Sequence, residues 1–299
     1  MLPSAESSSN HDELTKHGAV DFFMGLWYDI MYGSMSYGHL PDTGNLKKER
    51  ETMLNLKGKW ALITGASRGI GKLAAEALAE QGCNLILLSR DTAHTAALAK
   101  TLSEKVQVKA TACDLADAKS VEHAIAEIDA MGVPVDVILN NAGVQIAYRT
   151  DYWQTPVSDY VTSFQINTIS PMMICYHFIP KMIERGFGRV VNTTSGIRLE
   201  PEQAGYSASK AGLDKVTIDL GSKLAGTGVA INLTDPGWCR TDLGGPNAPN
   251  APESAIPGVI VGAFIEQPKS GRTFAAGLFY DMTLEEAVAK AETMECSAY

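Results

Sequence analysis

Residues 59–81 read KWALITGASRGIGKLAAEALAEQ, an apolar segment followed by a glycine-rich turn and an amphipathic helical pattern. The apolar part predicts a buried strand, and Gly65, Gly69 and Gly71 lie in the turn. Gly65 allows a tight turn, Gly69 lets the backbone approach a pyrophosphate, and Gly71 allows the helix to pack closely on the strand. The free N–H groups at the helix start would bind the anion. The segment therefore predicts a dinucleotide-binding turn, with an ordinary glycine-rich turn as the alternative.

Short apolar runs alternate with helical patterns along the rest of the chain. Such runs suit strands covered on both faces, and the intervening helices suit right-handed crossovers in a parallel sheet. We therefore predict an α/β, Rossmann-type doubly wound parallel sheet of about seven strands, with helices on both faces. The candidate strands are KWALIT (59–64), NLILLS (84–89), VQVKATAC (106–113), VDVILN (135–140), RVVNTTS (189–195), VAINLT (229–234) and RTFAAGLF (272–279).

The composition argues against several classes of protein. The chain has 299 residues, is 45% hydrophobic and carries a formal net charge of −9, which disfavours nucleic acid as a partner. No uncharged apolar run reaches the roughly 18 residues that span a bilayer, and no signal-peptide pattern is present. We therefore expect a cytoplasmic protein without a membrane span. The cysteines and histidines lack metal-ligand spacing, so we expect free thiols and no metal.

The sequence divides into an N-terminal extension, residues 1–52, and a single dinucleotide-binding catalytic domain, residues 53–299. Residues 1–17 are rich in Ser, His and Glu and predict a mobile tail. Residues 20–40 are dense in aromatic residues and Met, which predicts docking on a protein surface of the parent domain or a neighbouring subunit. A disordered leader is the alternative for this segment.

A series of further motifs follows the glycine-rich turn in order. Together with the spacing G-x-x-x-G-x-G, they resemble the short-chain dehydrogenase/reductase family over residues 56 to about 280. The interval from Ser195 to Tyr206 is a couple of residues shorter than is usual in the family, which leaves Thr194 as an alternative for the serine position. The motifs are Asp114 in CDLAD, Asn140-Asn141-Ala142-Gly143, Asn167 in FQINTIS, Ser195 in VVNTTSG, Tyr206-Ser207-Ala208-Ser209-Lys210, and Pro236 to Thr241 in PGWCRT.

The resemblance implies an NAD(H)- or NADP(H)-dependent oxidoreductase with four catalytic residues, Tyr206, Lys210, Ser195 and Asn167. Tyr206 would exchange a proton with the substrate, and Ser195 would hydrogen-bond the substrate oxygen. Asn167 would anchor a water in a proton relay to Lys210, which would also hold the nicotinamide ribose. The implied cofactor-binding residues are Gly65, Ser67, Arg68, Gly69, Ile70, Gly71, Ser89, Arg90, Asp114, Leu115, Asn141, Ala142, Gly143, Tyr206, Lys210, Pro236, Gly237 and Thr241.

The spacing of Tyr206 and Lys210 suits acid–base chemistry. A free phenol has a pKa of about 10, too high for a good base near neutrality. Lys210 follows Tyr206 by four residues and so lies on the same helix face. A positive charge about 5 Å away, at an effective dielectric near 20, would favour phenolate by roughly 3 kcal/mol, or about 2 pKa units.

Each of these residues has a structural alternative. An isolated Tyr and Lys four residues apart are usually a solvated surface pair. Asn167 alone would be a hydrogen-bonding residue inside a helix, and Ser195 a turn residue at a strand end. Asp114 could cap a helix that begins near Ala116. Asn140, which precedes the implied cofactor residues, could instead satisfy backbone groups.

The choice between NAD and NADP depends on the end of the second strand, Ser89-Arg90-Asp91. Ser89 stands where NAD-dependent family members tend to carry Asp, and Arg90 with Arg68 could clamp a 2′-phosphate. Asp91 could neutralise Arg90 or reach the ribose itself. The bacterial hydroxysteroid dehydrogenases of the family, which the sequence also resembles, commonly use NAD(H), so both cofactors stay open.

The segment after Pro236-Gly237, near residues 238–265, is long and rich in Gly and Pro, which predicts a substrate lid. We expect the substrate to be a small molecule, namely a bulky hydrophobic ketone or alcohol such as a steroid. Two other functions are the alternatives: a 3-ketoacyl carrier-protein reductase and a non-catalytic dinucleotide sensor. The candidate pocket residues, whose alternative is ordinary core, are Tyr148, Trp153, Trp238, Ile256, Val259, Ile260, Val261 and Phe264.

The resemblance also implies a homo-oligomer, a dimer or a tetramer. The helical segments 171–185 and 204–223 are similar to those through which family members form a four-helix dimer contact.

Overall fold

The computed structural model describes residues 53–297. The predicted extension over residues 1–52, with its mobile tail and its docked aromatic segment, lies outside the described residues and stays a prediction. None of the helices between residues 53 and 297 combines the length and the hydropathy that a bilayer span requires.

Seven parallel strands form one sheet in the order β3-β2-β1-β4-β5-β6-β7. This arrangement confirms the predicted doubly wound fold, and all seven candidate strands are present. The last one is shorter than predicted, because a 3₁₀ turn begins at Ala276. The strands are β1 (Trp60–Thr64), β2 (Asn84–Ser89), β3 (Val108–Ala112), β4 (Val137–Asn140), β5 (Gly188–Thr193), β6 (Val229–Asp235) and β7 (Thr273–Ala275).

Helices cover both faces of the sheet. Successive residues of β1 point to opposite faces, so that Ile63 belongs to one buried apolar cluster and Leu62 to the other. The first cluster includes residues of α1, α2, α7 and α8, and the second includes residues of α3, α5 and α6. The helices are α1 (Gly69–Glu80), α2 (Ala96–Leu102), α3 (Ala118–Ala130), α4 (Val157–Phe164), α5 (Ser170–Glu184), α6 (Ala204–Gly221), α7 (Val261–Phe264) and α8 (Leu284–Glu292).

The segment after β6 differs from the sequence expectation. Four of its five proposed pocket residues, from Val259 to Phe264, are fully buried in the first cluster, and Ile256 packs against that cluster. The interpretation of these five residues as pocket lining is therefore wrong, because α7 packs against one face of the sheet and its apolar side chains belong to the core. Trp238, earlier in the same segment, is more than half exposed.

The strand order reverses between β1 and β4, whose neighbours lie on opposite sides. In open parallel sheets the loops that leave the carboxyl ends of the strands separate at such a point and form a crevice. The predicted site residues after β1, β4, β5 and β6 therefore belong to loops at one edge of the sheet.

Candidate active site

The turn between β1 and α1 has the backbone that its glycines predict. Gly65 and Gly69 adopt positive φ angles of 69° and 55°, which residues with a Cβ atom rarely adopt. The Ala142 N–H donates a hydrogen bond to Thr64 Oγ1 (3.0 Å), and Asn141 Nδ2 donates to the Thr64 carbonyl oxygen (3.1 Å). The Asn-Asn-Ala-Gly turn after β4 is thus tied to the glycine-rich turn after β1.

Gly71 is a position of close approach. A Cβ at this residue would overlap the Gly65 carbonyl oxygen and the side-chain amide of Asn141. The third glycine therefore lets α1 pack against its own turn and against the turn after β4, which agrees with the role predicted for it.

The start of α1 is suited to an anion. Arg68, its N-cap residue, is extended, and within the described chain no side chain caps this helix and no acidic residue stands in its first turn. The first N–H groups of a helix lack partners inside the helix, and its dipole favours negative charge there. Together with the space left by the glycines, these features fit the pyrophosphate of a dinucleotide.

At the end of β2, Ser89 and Asp91 are engaged locally. Ser89 Oγ donates to the Asp91 carbonyl oxygen (2.7 Å), and Asp91 Oδ1 accepts from the Ala93 N–H (2.9 Å). Among residues 53–297, Arg90 has no ion-pair partner, and it is exposed. The alternative that Asp91 neutralises Arg90 is therefore not seen in this part of the chain, because Asp91 caps the turn that follows.

Arg68 has a partner that the sequence did not indicate. Its guanidinium lies 2.6 Å from an Asp242 carboxylate oxygen, and both side chains are largely exposed. Asp242 follows Thr241, whose methyl group would lie 3.4 Å from a Cβ placed on Gly69. The loop after β6 thus closes against the glycine-rich turn.

Asp114 and Leu115 follow β3. Asp114 Oδ1 accepts from the Ala116 N–H (3.0 Å), but the residue that caps α3 is Asp117, whose side chain accepts from Lys119. The alternative interpretation of Asp114 as the helix cap is therefore wrong. Leu115 is buried, and its carbonyl oxygen accepts from Ser170 Oγ (2.7 Å).

Tyr206 and Lys210 lie one turn apart on α6, as their spacing predicts. Lys210 is buried, its Nζ lies 5.9 Å from the Tyr206 ring centre, and Nζ donates to the Thr193 carbonyl oxygen at 2.7 Å. The ammonium is therefore held between the phenol and the end of β5, so the pair is not a solvated surface pair.

Burial shifts the pKa values of both groups. It raises the pKa of Tyr206, a hydrogen bond with Ser195 opposes this rise, and the Asp235 carboxylate adds to it. Burial lowers the pKa of Lys210 to about 8, although Asp214 and Asp235 act in the opposite direction. The net shift of the phenol is therefore upward in the polypeptide alone, because burial is its largest cause, and the expectation that the Lys210 charge favours phenolate stays a prediction.

Ser195, rather than Thr194, contacts the phenol. The Ser195 side chain hydrogen-bonds Tyr206, whereas Thr194 is buried and its side chain lowers the pKa of Asp214. The short loop between Ser195 and Tyr206 contains Leu199, whose φ angle is positive at 59°. The departure in loop length therefore does not separate Ser195 from Tyr206, and the assignment of Ser195 to the serine position stays a prediction.

Asn167 is fully buried in a π-helical turn, Gln165–Ile169, between α4 and α5. Its Oδ1 accepts from the Val144 N–H (2.8 Å), and its Nδ2 donates to the Val144 carbonyl oxygen (2.9 Å) and to Ser209 Oγ (3.0 Å). Both amide protons are thus used, and the side chain links the loop after β4 to α6. Only a remaining Oδ1 lone pair could serve the predicted water.

Asn140 links strands instead of reaching the crevice. Its Nδ2 donates to Asn192 Oδ1 (2.8 Å), and Asn192 Nδ2 donates to Thr217 Oγ1 (2.9 Å). This series of hydrogen bonds joins β4, β5 and α6 beneath the site. Asn140 Nδ2 also donates to the Pro171 carbonyl oxygen (3.5 Å), which agrees with the alternative interpretation that Asn140 satisfies backbone groups.

Two acidic residues near Lys210 were missed by the sequence analysis. Burial raises the pKa of Asp214 to about 6, one turn beyond Lys210 on α6. Asp235 ends β6, directly before the Pro236-Gly237 motif. The signal for Asp214 was its spacing of four residues from Lys210, and the signal for Asp235 was a charged residue at the end of a buried strand.

Tyr206 also lines a shallow cleft. Its wall includes Arg149, which forms a two-point ion pair with Asp159 (2.8 and 3.1 Å). The Arg149 N–H also donates to the Glu202 carbonyl oxygen (3.0 Å). The loop after β4 is thereby fixed to α4 and to the turn that precedes Tyr206.

Comparisons with known proteins agree with this arrangement. The profile of the family described as short chain dehydrogenase matches residues 59–251. The chain is 31% identical over 194 residues to the 3-oxoacyl-[acyl-carrier-protein] reductase FabG of Aquifex aeolicus (strain VF5), covering 64% of this chain and 77% of that protein. It is 33% identical over 196 residues to the 3-oxoacyl-[acyl-carrier-protein] reductase of Synechocystis sp. (strain ATCC 27184 / PCC 6803 / Kazusa), covering 64% and 78%.

Solved structures are also similar. A 3-oxoacyl (acyl-carrier-protein) reductase from Agrobacterium tumefaciens C58 with NADP bound has a TM-score of 0.67 at 27% identity, covering 74% of this chain and 93% of that one. A metagenomic short-chain oxidoreductase in complex with NADP has a TM-score of 0.59 at 27% identity, covering 67% and 88%.

Proposed function

The chain belongs to the short-chain dehydrogenase family, and we propose that this NAD(P)-dependent oxidoreductase interconverts a bulky apolar ketone and the corresponding secondary alcohol. The observation that carries the proposal is the contact of Tyr206 with Ser195 on one side and its closeness to the buried ammonium of Lys210 on the other. Two oxygen-bound protons and one cation thus meet at the carboxyl edge of the sheet.

The glycine-rich turn, the Asn141–Ala142–Gly143 turn and the Pro236–Gly237 turn would hold the cofactor. When bound, a nicotinamide dinucleotide supplies or accepts the hydride. A Cβ on Gly143 would lie 3.5 Å from the buried Lys210 Nζ, so this glycine leaves space beside the ammonium. Lys210 would there hold the ribose hydroxyls.

In the reduction, Ser195 would donate a hydrogen bond to the substrate oxygen while Tyr206 gives that oxygen its proton. Burial favours the neutral phenol, so Tyr206 holds a proton at neutral pH and suits the role of general acid. In the reverse direction the phenolate must form, and the ammonium of Lys210 would stabilise it.

Exposed apolar side chains near the crevice support an apolar substrate. They lie on the loops that follow β4, β5 and β6, and they are Tyr148, Trp153, Leu199, Trp238 and Leu243. Because residues 259–265 belong to the core, the proposed lid narrows to the exposed part near residues 238–250. A steroid ketone suits such a rim, and 20β-hydroxysteroid dehydrogenase activity is the specific candidate.

Reduction of a 3-oxoacyl thioester on a carrier protein is the second candidate. It is favoured by the reductases of that name among the relatives. An acidic carrier protein would need a basic rim, but the loops at 141–156, 194–203 and 236–255 hold three arginines against five carboxylates. This balance supports the small-molecule ketone. A dinucleotide sensor without catalysis would have no use for the assembled Tyr206, Ser195 and Lys210.

A substrate panel tests the proposal. Nicotinamide absorbance would be followed with NADH and NADPH, using cortisol-like steroid ketones and an acetoacetyl thioester. We expect turnover of the steroid ketones and a loss of kcat of about 10²- to 10⁴-fold in Tyr206→Phe, with the exposed Tyr176→Phe as control. Faster turnover of the thioester would favour the second candidate. Binding of a dinucleotide without turnover of any carbonyl would support the sensor.

A further inference from the structure

Asp235 bridges two loops that carry proposed site residues. Its Oδ2 accepts a hydrogen bond from the Gly196 N–H and its Oδ1 accepts one from the Gly237 N–H, each at 2.9 Å. Gly196 directly follows Ser195, and Gly237 belongs to the turn proposed to hold the nicotinamide end of the cofactor. The Asp235 carboxylate thus fixes the distance between the loop that carries Ser195 and the Pro236–Gly237 turn.

The contact at Gly196 is tight. A Cβ on this glycine would lie 2.9 Å from Asp235 Oδ2, so a side chain at position 196 would push the carboxylate away. Both carboxylate oxygens accept from backbone N–H groups. An asparagine in the same place could accept only one of these two hydrogen bonds and would turn its NH₂ group toward the other donor.

The carboxylate also lies within electrostatic range of the proton-transfer pair. It raises the pKa values of Tyr206 and Lys210, and it raises that of Asp214. The charged groups around the phenol are Lys210 and Asp214 on α6, Asp235 on β6, and Arg149, Asp159 and Glu202 along the cleft.

We propose that Asp235 is a positioning residue, which fixes Ser195 against the Pro236–Gly237 turn and holds a negative charge beside Tyr206 and Lys210 during carbonyl reduction. It touches neither substrate nor cofactor in this proposal and acts through Ser195, Tyr206 and Lys210. The inference rests on the proposed function for its catalytic consequence, but the bridge between the loops and the effect on the phenol are properties of the polypeptide.

The sign of the charge effect is the same for both groups. Without the negative charge, the pKa of Tyr206 falls because its phenolate is no longer repelled, and the pKa of Lys210 falls because its ammonium loses an attractive partner. Reduction needs the phenol protonated and the lysine charged. The alkaline limb of the reductive pH profile should therefore move to lower pH when Asp235 is neutralised.

Three variants separate charge from shape. Asp235→Asn removes the charge, Asp235→Glu keeps the charge and displaces the oxygens, and Asp219→Asn is a control for the same charge change at an exposed site on α6. In Asp235→Asn we expect the alkaline limb to move down by roughly one pH unit and kcat to fall about tenfold. Asp235→Glu should lower kcat without moving the limb, and Asp219→Asn should change neither.

A second readout does not depend on turnover. The ultraviolet absorbance of the phenolate of Tyr206 would be recorded by stopped-flow pH jump, as the difference between each variant and the same variant carrying Tyr206→Phe. Asp235→Asn should lower the pKa of Tyr206. If Asp235→Asn lowers only kcat and the melting temperature while both the limb and the phenol pKa stay in place, the proposal is overturned. If the wild type reduces no carbonyl but its phenol responds to Asp235→Asn, the proposed function fails and the electrostatic part of the inference stands.

Discussion

Asn167 and Val144 are joined by two hydrogen bonds, one from the Val144 N–H to Oδ1 (2.8 Å) and one from Nδ2 to the Val144 carbonyl oxygen (2.9 Å). A side-chain amide here takes the place of a second strand, because it satisfies both backbone groups of one residue. The second Nδ2 proton goes to Ser209, whose hydroxyl donates to the Tyr206 carbonyl oxygen (2.7 Å). Asn167 therefore connects the loop beside the proposed nicotinamide site to the first turn of α6.

Replacement of Asn167 by Ala should weaken both the fold and the site. It removes the partners of the partly buried N–H and carbonyl groups of Val144, which costs roughly 1–2 kcal/mol of unfolding free energy. We also expect kcat to fall about 10- to 100-fold, because the loop after β4 loses its attachment to α6. Chemical denaturation and steady-state kinetics measure the two effects.

Asn55→Ala is a matched control, since between residues 53 and 297 the exposed Asn55 side chain accepts a single hydrogen bond, from the Lys57 N–H. It should change stability by less than about 0.5 kcal/mol. If Asn167→Ala has the same unfolding free energy and the same kcat as the wild type, the hydrogen bonds between Asn167 and Val144 contribute nothing to stability or catalysis.

The sheet was predictable because its strands are buried on both faces and therefore read as continuous apolar runs, such as NLILLS at Asn84–Ser89. The Tyr206–Lys210 pair was predictable because four residues make one helical turn. The contacts of Asp235 were not, because its partners Gly196 and Gly237 lie on different loops that meet only when β5 and β6 pair.

The upward pKa shift of Tyr206 was also hidden from the sequence. The spacing of Lys210 gives the sign of one charge, but burial of the phenol depends on how α6 packs against the loops after β4 and β5. Similarly, Val259 to Phe264 have the same apolar composition whether they line a pocket or fill the core, and only the packing of α7 decides between them.

Gly71→Ala should weaken dinucleotide binding and also lower the stability of the fold. The added methyl group overlaps the Gly65 carbonyl oxygen and the Asn141 amide, so the two turns must separate. We expect a loss of about 1–3 kcal/mol in stability and at least tenfold weaker binding of NADH and NADPH, measured by fluorescence titration. Gly132→Ala is the control: its φ is +68° and its surroundings are open, so it adds backbone strain without touching the turn. Equal dinucleotide affinities in the two variants would argue against the glycine-rich turn as the binding site.

The cofactor choice should depend on Arg90 and on the pairing of Arg68 with Asp242. Arg90→Ala should lower the ratio of NADPH to NADH catalytic efficiency by about 10- to 100-fold, since a charge-assisted hydrogen bond to a phosphate contributes roughly 1.5–3 kcal/mol. Asp242→Asn should raise the same ratio, because it removes the carboxylate that competes for Arg68. Steady-state kinetics with both cofactors decide this point, and an unchanged ratio in Arg90→Ala would mean that this residue does not read a 2′-phosphate.

The exposed apolar residues of α4 and α5 predict a homo-oligomer. Val157 and Val161 on α4 are 77% and 62% exposed, and Tyr176 on α5 is 62% exposed, although apolar side chains of this size are usually buried. The sequence indicated the segments 171–185 and 204–223 as the contact, whereas α4 adds exposed apolar residues that were not foreseen. Light scattering at micromolar concentration should therefore give a multiple of the 32.0 kDa chain mass.

Val161→Asp should shift the oligomer toward the 32.0 kDa chain, because a carboxylate in an apolar contact loses its hydration without gaining a partner. Leu199→Asp is the control, since Leu199 is 94% exposed and belongs to the loop after β5 rather than to α4 or α5. It should keep the mass of the wild type. The prediction fails if the wild type already scatters as a single chain, or if Leu199→Asp dissociates the assembly as strongly as Val161→Asp does.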